Sequence, residues 1–155
     1  MIPYRLGLLV IAFGLVLVPC EARLGETVVE IKARFGTPIS IGEPPAGSIG
    51  EQMMEFEKSG IDIRVIFLKG VAQFEMLKNI DGTAFTQDEI DALLKTEADT
   101  MKWTEDTPND VMRSWNRTDT ATAIYMPSTK MLSFATATYS TTMATDSAAK
   151  KGSGF

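Results

Sequence analysis

The chain has 155 residues, 45% of them hydrophobic, which suits one domain of ordinary size and excludes wholesale disorder. A net charge of −5 argues against a nucleic-acid partner, whose phosphates need a clustered basic surface, and against a polybasic membrane patch. With no His and only one Cys, Cys20, the folded part lacks the usual zinc ligands, a Ser–His or Cys–His pair and a disulfide. Core packing must therefore carry the stability, and no cofactor or metal is expected.

Residues 1–22, MIPYRLGLLVIAFGLVLVPCEA, place one positive charge, Arg5, before the uncharged run Leu6–Val18. Small residues follow at Cys20 and Ala22. This is the pattern of a secretory signal peptide cleaved after Ala22, leaving Arg23 as the mature N-terminus. The apolar run is short for a membrane span, which needs about 20 residues. Two alternatives stand beside cleavage. LVPC, ending at Cys20, resembles a bacterial lipobox with Pro19 as a departure, so Cys20 is a candidate lipidation site. The segment also reads as an uncleaved anchor. Membrane attachment is expected only in these two cases.

Thr27 and Glu30 form a capping box at a helix start. Val28, Ile31 and Phe35 share one face, Gly36 suits the position after a helix, and Pro38 prevents resumption. A helix this short is marginal alone and must lie on an apolar surface. The stretch TPISIGEPPAGSIGEQ that follows reads as a loop from its prolines and glycines.

Residues 53–78 alternate apolar and polar, broken at Ser59-Gly60 and Lys69-Gly70. Two-residue turns there predict a three-stranded meander. Phe56 then faces Ile63, Met54 faces Val65, Val65 faces Phe74, Ile63 faces Met76 and Phe67 faces Ala72, all on one side. Glu55 meets Arg64, and Arg64 meets Glu75, on the other. Glu57 opposite Asp62 is a like-charge pair.

A second helix starts at the capping box Thr86–Glu89, with Phe85 stapled to Ile90 and a stripe of Ile90, Leu93, Leu94 and Met101. Strands are expected at 111–118, 121–126 and 131–140, with turns near Asp119-Thr120 and Ser128-Thr129. Both sides of these strands look apolar: Trp115, Ile124 and Met126 compete with Tyr125, Leu132 and Phe134 for the buried face. Capping boxes at 27 and 86, and turns at 59 and 119 and at 69 and 128, recur at nearly constant spacing. From Thr141 small and polar residues dominate, which predicts a frayed tail. The expected fold is α+β: a signal peptide (1–22), two helix-plus-three-stranded antiparallel meander units (23–80 and 81–140) and a disordered tail (141–155).

Gly25-x-Thr27, Ile31 and Phe35–Ile39 (FGTPI) followed by a meander resemble the SmpA/BamE family of small bacterial outer-membrane lipoproteins. The whole stretch RLGETVVEIKARFGTP also resembles the start of short exported bacterial proteins of uncharacterised function. The likeness covers about residues 24–78; Glu26 and Phe35 depart from the family pattern. It implies a short helical part on a three-stranded sheet and a non-catalytic accessory role in outer-membrane protein assembly. A tandem of two such units resembles the β-lactamase-inhibitor-protein architecture, whose sheet binds protein. No binding residue is carried over from either.

Three groups of side chains are candidates for function. Glu55, Glu57 and Asp62 gather near one hairpin and suit acid–base work or calcium, or simply a solvated face with Arg64 as counter-charge. Met53, Ile66, Leu68, Val71 and Leu77 point outward from the first sheet, as a partner surface or as the underside of further structure. Trp103 and Trp115 suit interface anchors or core residues. Asn116-Arg117-Thr118 fits a glycosylation sequon but reads as strand and turn. The expected partner-binding set is Ile66, Leu68, Val71, Trp103 and Trp115, the expected catalytic set is empty, and the expected partner is an envelope protein. Alternatives are a lipid-anchored accessory lipoprotein and a carboxylate-dependent hydrolase.

Overall fold

The computed structural model describes residues 23–98 and 100–152. The expected signal peptide, Cys20 and the cleavage point after Ala22 lie outside them. Three helices, α1 (Val28–Phe35), α2 (Gln87–Ala98) and α3 (Ala137–Gly152), accompany eight strands: β1 (Ser40–Gly42), β2 (Gln52–Lys58), β3 (Ile61–Leu68), β4 (Val71–Asn79), β5 (Trp103–Glu105), β6 (Arg113–Arg117), β7 (Thr122–Met126) and β8 (Met131–Ala135). Among the described residues no helix is long and apolar enough to cross a membrane.

Local signals form as the residue types require. Thr27 Oγ1 accepts from the Glu30 N–H while the Glu30 carboxylate accepts from the Thr27 N–H at 2.8 Å. Thr86 and Glu89 repeat this at α2. Ser59-Gly60 and Lys69-Gly70 all take positive φ, between 52° and 80°, the twist that a two-residue hairpin needs. The β2–β3 register pairs Phe56 with Ile63, Met54 with Val65 and Glu55 with Arg64, as the alternation predicts; the like-charge pair Glu57–Asp62 is also present.

The eight strands form one antiparallel sheet in the order β1-β2-β3-β4-β8-β7-β6-β5. This overturns the expectation of two separate helix-plus-three-strand units. The free side of β4 pairs with β8, from Phe74–Ala135 to Leu77–Leu132, and the sheet runs on without a break. A strand edge left open would expose unpaired N–H and C=O groups, and β8 removes that liability. Strands β1 and β5, three residues each at the two edges, have no counterpart in the sequence pattern, because a three-residue strand is too short to show a period of two.

The second hairpin also departs from expectation. Between Ile66 and Phe67 the β3–β4 register shifts by one, leaving Gln73 as an extra residue on β4. Ile63 therefore faces Leu77, Arg64 faces Met76, Val65 faces Glu75 and Ile66 faces Phe74. A one-residue shift moves every later side chain to the opposite face. Phe74 and Met76 turn to the outer face, while Leu77 and Glu75 turn inward.

Helices α1 and α2 cover the inner face. Ile31, Phe35, Ile90, Leu93 and Leu94 pack with Met54, Phe56, Ile63, Val65, Leu77, Trp115, Tyr125, Leu132 and Phe134 in one core. The inward set of the second half is thus Trp115, Tyr125, Leu132 and Phe134, with Ile124 and Met126 outward. Met101 lies beyond α2 and is exposed, so it is not part of the stripe.

Helix α3 lies on the outer face and corrects two further expectations. The last strand ends at Ala135 rather than at 140, and the segment from 141 continues as helix. Thr136 caps it by accepting the Tyr139 N–H at 3.1 Å. Tyr139 and Met143, one turn apart, pack with Ile66, Ala135 and Phe74, and the Tyr139 ring stacks on Phe74 at 4.9 Å. An apolar bed, invisible from the tail's own composition, holds this helix.

The inner core sets the stability. Phe56 is fully buried beneath Phe35, with ring centroids 5.4 Å apart, whereas Val29 on the same helix as Phe35 is 77% exposed. Phe56→Ala is expected to cost about 3–5 kcal/mol and Val29→Ala under about 0.5 kcal/mol, read by urea denaturation.

Candidate functional site

The most unusual chemistry in the molecule is a pair of carboxyls inside the core. Glu75 and Glu97 are 0% and 1% exposed and are the buried charged residues among those described. Glu75 reaches the interior through the extra residue at Gln73. It sits on β4 with Val65 on one side and Phe134 on the other. Glu97 follows Ile90, Leu93 and Leu94 along the inward stripe of α2.

An N-terminal arm, residues 23–27, closes over this pair. The Leu24 N–H donates to Glu97 Oε1 at 2.6 Å. The Gly25 N–H donates to the Ala72 carbonyl at 2.9 Å, and the Ala72 N–H returns a bond to the Glu26 carbonyl at 2.8 Å. Thr27 and Val71 form an isolated antiparallel bridge. Glu26 is tied to Arg34 of α1 by two hydrogen bonds to the guanidinium. From the far side Arg117 of β6 approaches Glu97 Oε1 at 3.6 Å, donates to the Glu97 carbonyl, pairs with Asp119 at 2.8 Å and lies over the Trp103 ring.

This setting governs protonation. Burial pushes the Glu75 carboxyl well up, and the nearby Glu97 and Glu26 carboxyls push the same way against the pull of Arg34. Neither Glu75 oxygen has a hydrogen-bond partner, nor has Glu97 Oε2. Burial likewise raises Glu97, to about 8, opposed by the Leu24 N–H and by Arg117. Asp119, held by the Arg117 guanidinium, moves below the usual carboxylate range. Glu75 and Glu97 are thus both out of contact with solvent in this conformation.

The other candidate surface is the outer face of β2–β4. Glu55, Glu57, Asp62, Arg64 and Lys78 line an open depression of about 360 Å³ with Ile39 and Ile80 at its margin. Arg64 lies 3.2 Å from Glu55 and 3.3 Å from Asp62, so it serves as the counter-charge of both. Among the described residues no group of three or more acidic or Cys side chains is arranged to hold a metal.

The structure separates the residues singled out from the sequence. Ile66 is buried under α3, Trp115 is buried in the inner core, and half-buried Trp103 packs against that core with its ring 5.9 Å from Phe134. These three are packing residues in this conformation. Leu68 and Val71 are half-buried and face each other beside the Lys69-Gly70 turn. Leu77 belongs to the inner face, not the outer. Glu97 had a sequence signal, since it falls one helical turn after Leu93 and Leu94 on the apolar stripe. Glu75 had none, because its inward direction depends on a register shift.

Because the folded-state pKa of each buried acid exceeds its unfolded value of about 4.3, the native state holds more protons than the unfolded chain in between. The contribution of Glu97 is complete below about pH 4.3 and is lost as pH rises through about 8; Glu75 acts in the same direction. Stability is expected to fall steadily from pH 5 to pH 8. Glu97→Gln is expected to flatten this slope and to be about 1–3 kcal/mol more stable than the parent at pH 8.5, measured by denaturant titration.

No protein-family model, curated protein or solved structure matches this chain.

Proposed function

We propose that the chain is an exported, non-catalytic binding protein of the bacterial cell envelope that holds a partner protein on the outer face of its sheet. The observation that carries this reading is the uneven cover of that face. Among the described residues, helix α3 packs on the part around Ile66, Phe74 and Ala135 and reaches Thr122 of β7 through Ser140. Beside it, β2–β4 present both signs of charge, Glu55, Asp62, Arg64 and Lys78, around an open depression with exposed Ile80 next to them. Apolar surface rimmed by paired charges on rigid strands suits a protein partner: the apolar contact supplies affinity and the charges set register and specificity. The signal-peptide pattern at 1–22 and the resemblance of residues 24–78 to small envelope lipoproteins point to the same compartment.

A tethered form of the same reading is favoured by the LVPC sequence at 17–20. Mass spectrometry of the mature N-terminus distinguishes the two: export with cleavage gives a chain starting at Arg23, and lipidation gives an acylated Cys20.

The binding face is tested by a photo-crosslinking residue placed at Ile80 or, as a control on the opposite side, at Val29. Crosslinking in the intact envelope is expected to join Ile80, and not Val29, to one defined protein. Arg64→Glu together with Lys78→Glu is expected to lower the yield about tenfold. Equal crosslinking from Val29, or none from Ile80, would refute the assignment.

A further inference from the structure

We propose that the cavity between helix α3 and the outer face of the sheet binds a small uncharged aromatic alcohol, of the size and chemistry of phenol. The cavity shares no lining residue with the charged depression on β2–β4. The proposal goes beyond the binding role and does not depend on it.

The floor is set by strand register. Phe74, Ala135 and Thr122 are direct neighbours across β4, β8 and β7, and Ser133 and Ile124 form the next row on the same face. The roof comes from the first turns of α3, through Tyr139, Ser140 and Met143. Tyr139 stacks on Phe74 and props the helix above the strands. Beside that stacked pair the facing side chains are small, Thr122, Ser133 and Ala135 below and Ser140 above, so the gap is not filled. It has a volume of about 180 Å³. A cavity of about 150 Å³ is enough to take a benzene ring.

The lining selects the ligand. Among the described residues no charged side chain borders the cavity. An ion entering it would lose its water without gaining a counter-charge, so the ligand is neutral. The Phe74–Tyr139 pair and the Met143 thioether reward a flat aromatic ring over an aliphatic one, through ring packing and sulfur–ring contact. Hydroxyls supply the polar end. The Thr122 and Ser140 oxygens stand 3.4 Å apart, and Ser133 Oγ donates to the Ile124 carbonyl at 3.3 Å. Both are longer than the usual O–H···O bond of about 2.7–2.8 Å, so these groups give up little by turning to a ligand. A phenolic O–H both donates and accepts, as the three hydroxyls do, and suits them better than a group that only accepts.

Titration of the isotope-labelled full chain with phenol, followed by nuclear magnetic resonance, tests this. Phenol is expected to bind with a Kd of about 1 mM or tighter, with the shifts centred on the amides of Ile124, Ser133, Ala135 and Ser140. Cyclohexanol, which lacks the aromatic ring, and benzoate, which carries a charge, are expected to bind at least about tenfold more weakly. Ser133→Ala, which removes one hydroxyl, is expected to weaken phenol about fivefold. Ser133→Leu, which fills the cavity from β8, is expected to abolish binding; it is read only if its circular dichroism matches the parent, and the other measurements stand without it. Phenol shifts that fail to saturate by about 10 mM, or that scatter over the surface, would overturn the site. So would benzoate or cyclohexanol binding as tightly as phenol, or undiminished binding in folded Ser133→Leu.

Discussion

One extra residue on β4, Gln73, decides what each side of the sheet is made of. Before it, the inner and outer sets follow the plain alternation of the hairpin. After it, they exchange. Phe74 goes outward and becomes the ring on which Tyr139 stacks, so the docking of α3 depends on this shift. Leu77 goes inward and enters the main core. Glu75 goes inward as well, and the interior acquires a carboxyl that the alternation had assigned to the surface. A bulge of this kind is a directed feature of a sheet, not a flaw in it.

The cost of that carboxyl shapes its surroundings. An ionised group without partners is expensive inside a protein, and its usual response is to take up a proton. Glu97 raises the cost further by bringing a second carboxyl to the same interior. The arm, Arg34 and Arg117 form a belt of polar contacts around the two acids, but those contacts are mostly satisfied among themselves. Glu97 is paired through one oxygen with the Leu24 N–H and Arg117, while neither Glu75 oxygen has a partner. Replacing such groups by neutral ones is often stabilising, so stability does not account for their presence.

The sheet's continuity has a similar logic. Two half-sheets with open edges would each present a template for unwanted pairing, and the β4–β8 junction removes both edges at once. The remaining edges, β1 and β5, are three residues long. With the inner face roofed by two helices and the outer face crossed by one, the uncovered strip of β2–β4 is left as the face where charged and apolar side chains meet solvent together.

The sequence by itself determined the local elements. Both capping boxes, the two tight turns and the β2–β3 register follow from residues at most a few positions apart, whose backbone preferences and alternation act before any distant contact forms. Tertiary structure alone decided the rest. The bulge at Gln73, the junction of β4 with β8, the seat of α3 and the burial of Glu75 each depend on surfaces contributed by segments far apart in the chain. A side chain's own type does not say which of two faces it will meet when one residue of register separates them.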